Sequence, residues 1–199
     1  MNEGIIKFNQ IHINKPIPDS TELRELIHFR NKLFNYKLIG ETKEGIGYGN
    51  ISIREKSTMK FIISASGTGK IILTNRNHFS AVDSVNLQKN KVKCTGRYPA
   101  SSESMTHYMI YKLSNKVNSI IHIHNSKLWN VLMDKMPCTQ RNSAYGTPEI
   151  AQEIKRLWNE SNLKSANTIV MKGHKDGIIV FGTSIEEAFN LVMSYNNNF

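Results

Sequence analysis

The stretch Ser119–Asn125, SIIHIHN, sets two histidines one residue apart inside an apolar run. On an extended strand, side chains alternate between faces, so His122 and His124 project to one side while Ile121 and Ile123 point into the core on the other. Two imidazoles on one face of a pleat can chelate a single ion. A catalytic zinc takes three protein ligands and keeps a fourth position open. A plainer role as hydrogen-bonded strand residues stands beside this one. A third nitrogen is offered by His174 in KGHKDGIIVFG, at a turn between two strand-like runs. Glu103, which begins the helix feeding the histidine strand, offers a carboxylate.

Around that strand the chain reads as one domain over residues 1–199, long enough to bury a single core. Hydrophobic residues at 39% and charged residues at 21% are ordinary globular values. No apolar stretch approaches the roughly 20 residues of a membrane span, and MNEGIIKFNQIHINK shows no signal-peptide core. The cysteines, Cys94 and Cys138, have neither metal nor redox spacing, which fits a reducing compartment and a cytoplasmic location. The net charge of +10 comes from scattered lysines and arginines, densest in KNKVKCTGR, without an aromatic stacking platform. That pattern describes a solvated basic surface and not a nucleic-acid groove.

PDSTELRELIHFRNKLFNYKLIG begins with Asp19 or Ser20 as helix cap and repeats apolar residues at Leu23, Leu26, Ile27, Leu33 and Phe34, with Gly40 as the stop. NISIRE, KFIISAS and KIILT then read as short strands. SSESMTHYMIYKLSNK is a helix burying Met105, Tyr108, Met109 and Leu113, and a further helix is expected over about Lys127–Lys135. TPEIAQEIKRLWNES starts at Thr147 with Pro148 in its first position. NTIVMK and GIIVFG are strands, and SIEEAFNLVMSY closes the chain as a helix. Strands in near succession pair mostly antiparallel, and helices before, between and after them cover both faces. The expected fold is α/β, a three-layer α/β/α sandwich on a mainly antiparallel sheet.

Three small polar segments have the composition of phosphate cradles: YGNIS with Asn50, SASGTGK with Ser66 and Gly67, and ASSE with Ser101 and Ser102. The last opens a helix, whose free N–H groups favour an anion. SGTGK is not a nucleotide P-loop, because Ser64 stands where that motif needs glycine and Ile71 where it needs serine or threonine. His12, His28 and His78 read as surface or loop residues, and His107, one turn after Glu103, as packing more than orienting.

In chain order, GNISIR, SASGTGK, SSESMTH, HIH, YGT and GHKDGIIVFG resemble the class II aldolase/adducin family over most of the sequence. The resemblance implies that His122, His124 and His174 bind Zn2+, with another divalent metal such as manganese, iron or cobalt as the alternative, and that Glu103 is the acid/base. It implies further that Asn50, Ser66, Gly67, Ser101 and Ser102 hold a substrate phosphate. The implied activity is zinc-dependent cleavage of a small phosphorylated ketose through a metal-stabilised enediolate. Relatives that dehydrate methylthioribulose phosphate, and non-catalytic adducin-like binding domains, mark the alternatives. Glutamate at position 103 sides with lyases, since the pentulose-phosphate 4-epimerases carry aspartate there. Family habit also implies a homo-oligomer, commonly a tetramer, that engages neither nucleic acid nor membrane. The sequence departs from the pattern between His124 and Gly146, which is short, and at Lys175 and Asp176, which are additional. The short tail leaves Tyr195 as a substitute for any acid that a longer C-terminus donates.

Overall fold

A strand that is apolar on one face and carries Ile120 beside two histidines on the other needs cover on both sides. The computed structural model, which describes residues 5–56 and 58–198, supplies it. The ends of the single domain expected over 1–199, and the first residues of the stretch read for a leader, lie outside those residues.

In chain order the elements are β1 (Asn9–Asn14), α1 (Thr21–Asn35), β2 (Gly40–Glu41), β3 (Gly47–Tyr48), β4 (Asn50–Arg54), β5 (Phe61–Ser64), β6 (Phe79–Asn86) and β7 (Lys91–Gly96). They continue with α2 (Ser104–Leu113), β8 (Ser119–His124), α3 (Ser126–Leu132), α4 (Pro148–Glu160), α5 (Leu163–Ala166), β9 (Thr168–Val170), β10 (Gly177–Gly182) and α6 (Ile185–Asn198). Eight strands form one sheet in the order β1-β7-β6-β5-β4-β8-β10-β9. Every pair is antiparallel except β1 with β7. One face packs Ile63, Ile120, Ile179 and Phe181 under α2 and α4. The other packs Ile51, Ile121, Ile123, Ile178 and Val180 under α1, α3 and α6. This is the expected α/β/α sandwich, with a parallel edge pair added.

Local sequence explains most boundaries. Ser20 caps α1 by accepting the Leu23 N–H at 3.1 Å. The helix stops at Asn35, five residues before the expected Gly40, because Lys37 turns left-handed at φ 58°. There the Leu38 N–H reaches the Leu33 carbonyl at 3.0 Å and the Lys37 N–H reaches that of Phe34 at 2.9 Å, a Schellman closure built on lysine. Gly40 instead begins β2, where a Cβ would meet Tyr48 Oη at 2.8 Å. Within α2, Met105 and Met109 are buried, while Tyr108 and Leu113 are only partly so.

One expected strand fails, and three unexpected ones appear, for tertiary reasons. KIILT is no strand: its residues form turns and coil, with Ile72 and Leu73 exposed. Its neighbourhood is held by Arg30 of α1, buried to 1% exposure, whose guanidinium donates to the carbonyls of Thr68 and Gly69 at 2.8 Å each and to that of Ile71. Conversely β1, β6 and β7 carry no clear local signal, yet they make up one end of the sheet.

Candidate active site

His122 and His124 leave β8 on the face covered by α2. In the ladder with β10, Ile179 stands opposite His122 and Gly177 opposite His124. A Cβ at Gly177 would lie 3.0 Å from His122 Cε1 and 3.4 Å from His174 Cγ, so glycine leaves the space these two rings occupy. His174 is folded back by a tight turn: its N–H reaches the Met171 carbonyl at 3.2 Å, and the Gly177 N–H reaches its own carbonyl at 3.0 Å. The additional Lys175 and Asp176 are absorbed here. Asp176 adopts φ 65°, its carbonyl accepts the Asn125 N–H at 3.0 Å, and its carboxylate accepts the Ser126 hydroxyl at 2.9 Å. One candidate ligand atom from each of His122, His124 and His174 falls within 4.8 Å of the others.

Donor chemistry in this trio suits a cation. Only a donor can face the Ile178 carbonyl, so His122 Nδ1–H points there at 3.2 Å and the lone pair of Nε2 faces the cluster. Burial pushes the His122 imidazole down to about 4 despite the opposing charge of Glu103. His122 Nε2 lies 3.0 Å from His124 Nε2 and 3.2 Å from Glu103 Oε2. An unprotonated nitrogen facing a carboxylate at that distance needs a proton or a metal ion between acceptors. Three imidazole nitrogens are a donor set for divalent transition ions, zinc among them.

Glu103 sits at the N-terminus of α2, 2% exposed. Its Oε1 lies 3.4 Å from His174 Nδ1, and its Oε2 accepts an amide hydrogen of Asn50 at 3.0 Å. Asn50 is placed by β4, where it pairs with His122. Burial alone raises the Glu103 carboxyl, but His122, His174 and Asn50 outweigh it and hold it well below the usual carboxylate range. The carboxylate is therefore ionised beside a neutral His122.

A cleft of about 290 Å³ opens above this cluster, lined by residues 45–50 and 65–69 together with Ser101, Ser102 and Tyr145. The phosphate-type segments converge there through main-chain contacts. Ala65 bridges Ala100, and the Ser66 N–H reaches the Pro99 carbonyl at 2.8 Å, which seats the loop after β5 against the start of α2. Gly67 turns at φ 73° and Gly49 at φ 75°. All five residues expected at a phosphate, Asn50, Ser66, Gly67, Ser101 and Ser102, line the cleft, and among the described residues no lysine or arginine does.

Residues 42–199 match the family described as Class II Aldolase and Adducin N-terminal domain. The chain belongs to that family. Solved class II aldolase structures share its fold. An L-fuculose 1-phosphate aldolase superposes with a TM-score of 0.67 at 22% identity, covering 91% of this chain and 84% of that one. A sugar-phosphate aldolase from Thermotoga maritima gives 0.64 at 17%, covering 88% and 90%. The L-fuculose-1-phosphate aldolase from Thermus thermophilus gives 0.60 at 19%, covering 88% and 89%. No curated protein sequence matches.

Seen as a class II aldolase-family site, the cleft contains side chains that sequence inspection passed over. Tyr145 stacks on His174 with ring centroids 4.6 Å apart, and the YGT segment was the visible signal for it. Gly146 holds that segment down, since a Cβ there would meet the Ser102 carbonyl at 2.5 Å. Tyr48 walls the cleft beside His124 at 5.4 Å between ring centroids, and Arg30 anchors the loop carrying Ser66 and Gly67; neither had a local signal. His107 is fully buried near Glu103 and bonds Ser52 Oγ through Nδ1 at 2.7 Å. Tyr195 is on α6, on the opposite face of the sheet, with its hydroxyl 3.0 Å from Thr168 Oγ1, so it does not reach the cleft of its own chain. Among the described residues, no helix is long and apolar enough to cross a membrane.

Proposed function

We propose that this chain, acting as one domain over residues 1–199, is a divalent-metal-dependent lyase that cleaves a small phosphorylated ketose. The observation that carries this reading is the buried Glu103 carboxylate, 3.2 Å from His122 Nε2 and 3.4 Å from His174 Nδ1, at the floor of a polar cleft. His122, His124 and His174 would hold the ion, with zinc the first expectation. When bound, the metal supplies Lewis-acid stabilisation of the negative charge that develops on substrate oxygens as the carbon–carbon bond breaks.

The chain's own residues do the rest. Ser101, Ser102, Ser66 and Gly67 offer hydroxyls and main-chain N–H groups to the phosphate, and the second amide hydrogen of Asn50 is available beside them. Glu103, held ionised, takes the proton from the substrate hydroxyl whose C–O becomes the aldehyde carbonyl, and can return it to the other fragment. Asn50 orients the carboxylate for both transfers. The names of the structural neighbours favour a sugar phosphate, and a homo-oligomer, tetrameric and cytoplasmic, completes the proposal.

Metal analysis of the purified chain, paired with aldehyde release from a panel of ketose 1-phosphates, tests it. About one zinc per chain, lost together with cleavage in His122→Ala, is the expected result. Full metal content in His122→Ala would overturn the assignment. Loss of water without aldehyde release would move the reaction to dehydration. Metal binding with no turnover on any sugar phosphate would leave a binding domain of adducin type.

A further inference from the structure

The residues matched to the family begin at 42, yet a side chain from far upstream reaches the candidate site. Lys7 Nζ lies 3.7 Å from the centroid of the Tyr145 ring and donates to the Tyr145 main-chain carbonyl at 3.3 Å. Tyr145 in turn stacks on His174, with 29° between the ring planes. Ile5, two residues before Lys7, lines the same cleft.

This delivery is built into the fold. Phe8 is buried in the core under α2 and α4. Asn90, at the tip of the β6–β7 hairpin in a left-handed turn of φ 46°, donates its side-chain amide to the Lys7 carbonyl at 3.0 Å. Its own carbonyl accepts the Asn9 N–H at 2.9 Å. The backbone on either side of Phe8, directly after Lys7, is thus tied to the hairpin before β1 joins β7 in parallel. Gly146 pins the other partner, packing the Tyr145 segment against the Ser102 carbonyl. A cation over the face of a tyrosine is attracted by the ring quadrupole, and more so where it is partly desolvated. Lys7 is partly buried.

We propose that Lys7 is a positioning residue of this site, clamping the Tyr145 ring against His174 and so setting the orientation of the third metal ligand. The inference rests on the reading of His122, His124 and His174 as a metal site. It assigns a function to a segment outside the family match, and it gives the chain a support for His174, whose turn carries two additional residues.

The test uses the full-length chain with Lys7→Ala, Lys7→Arg, Tyr145→Leu and the Lys7→Ala/Tyr145→Leu double variant. Zinc affinity is measured by competition with a chromophoric chelator. Lys7→Ala is expected to weaken zinc binding about tenfold, the scale on which groups that orient metal ligands act. Lys7→Arg should stay within about threefold of wild type, because a guanidinium also seats on an aromatic face. The double variant should be no weaker than Tyr145→Leu, since Lys7 acts through that ring. Wild-type affinity in Lys7→Ala, or penalties that add in the double variant, would overturn the proposal. If the wild-type chain binds no zinc, the metal reading fails on its own, and ring NMR signals of His174 still decide Lys7. Signals that move in Lys7→Ala and return in Lys7→Arg support the clamp; unmoved signals refute it.

Discussion

Gly177 on β10 and His122 on β8 fit so closely that a single methyl group on Gly177 would stand 3.0 Å from His122 Cε1. The contact explains why a strand otherwise rich in isoleucine and valine begins with the smallest residue. It also makes the histidine cluster dependent on a residue with no side chain.

Gly177→Ala therefore tests the cluster without removing a ligand. The backbone of Gly177 is not left-handed, so alanine is conformationally allowed there, and its methyl crowds both the His122 ring and the His174 carbonyl, each at 3.0 Å. The expected outcome is zinc affinity lowered about tenfold, as for other changes next to metal ligands. A chelator titration measures it, and thermal unfolding should show the fold retained.

Glu103→Gln separates metal holding from proton transfer. The amide keeps the size of the carboxylate but cannot take a proton. Metal content should remain at the wild-type level while kcat falls about 10²- to 10⁴-fold, the usual worth of a general acid–base group. Wild-type turnover in this variant would remove Glu103 from the mechanism.

Arg30 links α1 to the loop that carries Ser66 and Gly67, with burial pulling its guanidinium down to about 10, still charged at neutral pH. Arg30→Met leaves the buried Thr68 carbonyl and its neighbours without their donor. Stability should fall by about 1–3 kcal/mol, the scale of one unsatisfied buried polar group. KM for a phosphorylated substrate should rise more than kcat falls, because the loop loses its anchor and the proton-transfer residues do not. Denaturant unfolding and steady-state kinetics check the two halves separately.

His107 predicts a pH dependence of stability. Burial pushes its imidazole down to about 4, with the Glu103 charge opposing, from an ordinary value of 6.5. Between those limits the unfolded chain takes up a proton that the folded chain refuses, so stability is full above about pH 6.5 and falls as pH drops toward 4. In His107→Asn that contribution to the slope disappears. The unfolding equilibrium constant of wild type should change by up to about tenfold per pH unit more than that of the variant across this window, read from chemical unfolding at a series of pH values.

What was legible in the sequence was local. Alternation along SIIHIHN placed His122 and His124 on one face, because the pleat has a period of two whatever surrounds it. Caps and turn residues located α1, α2 and α4 to within a few residues. The order of the polar segments, through the family resemblance it carries, marked the five cleft residues and Glu103.

Tertiary structure decided the rest, because it depends on partners far apart in the chain. KIILT has strand propensity, but the carbonyls around it are claimed by Arg30, some 40 residues upstream, and Ile72 and Leu73 remain exposed. β1 has two exposed isoleucines and becomes a strand through its ladder with β7, about 80 residues away. The same holds for the site. Spacing supplied two imidazoles and the sequence offered His174 as a third, but their convergence, the room that Gly177 leaves, and Lys7 seated on Tyr145 exist only once sheet register and loop packing bring those residues together.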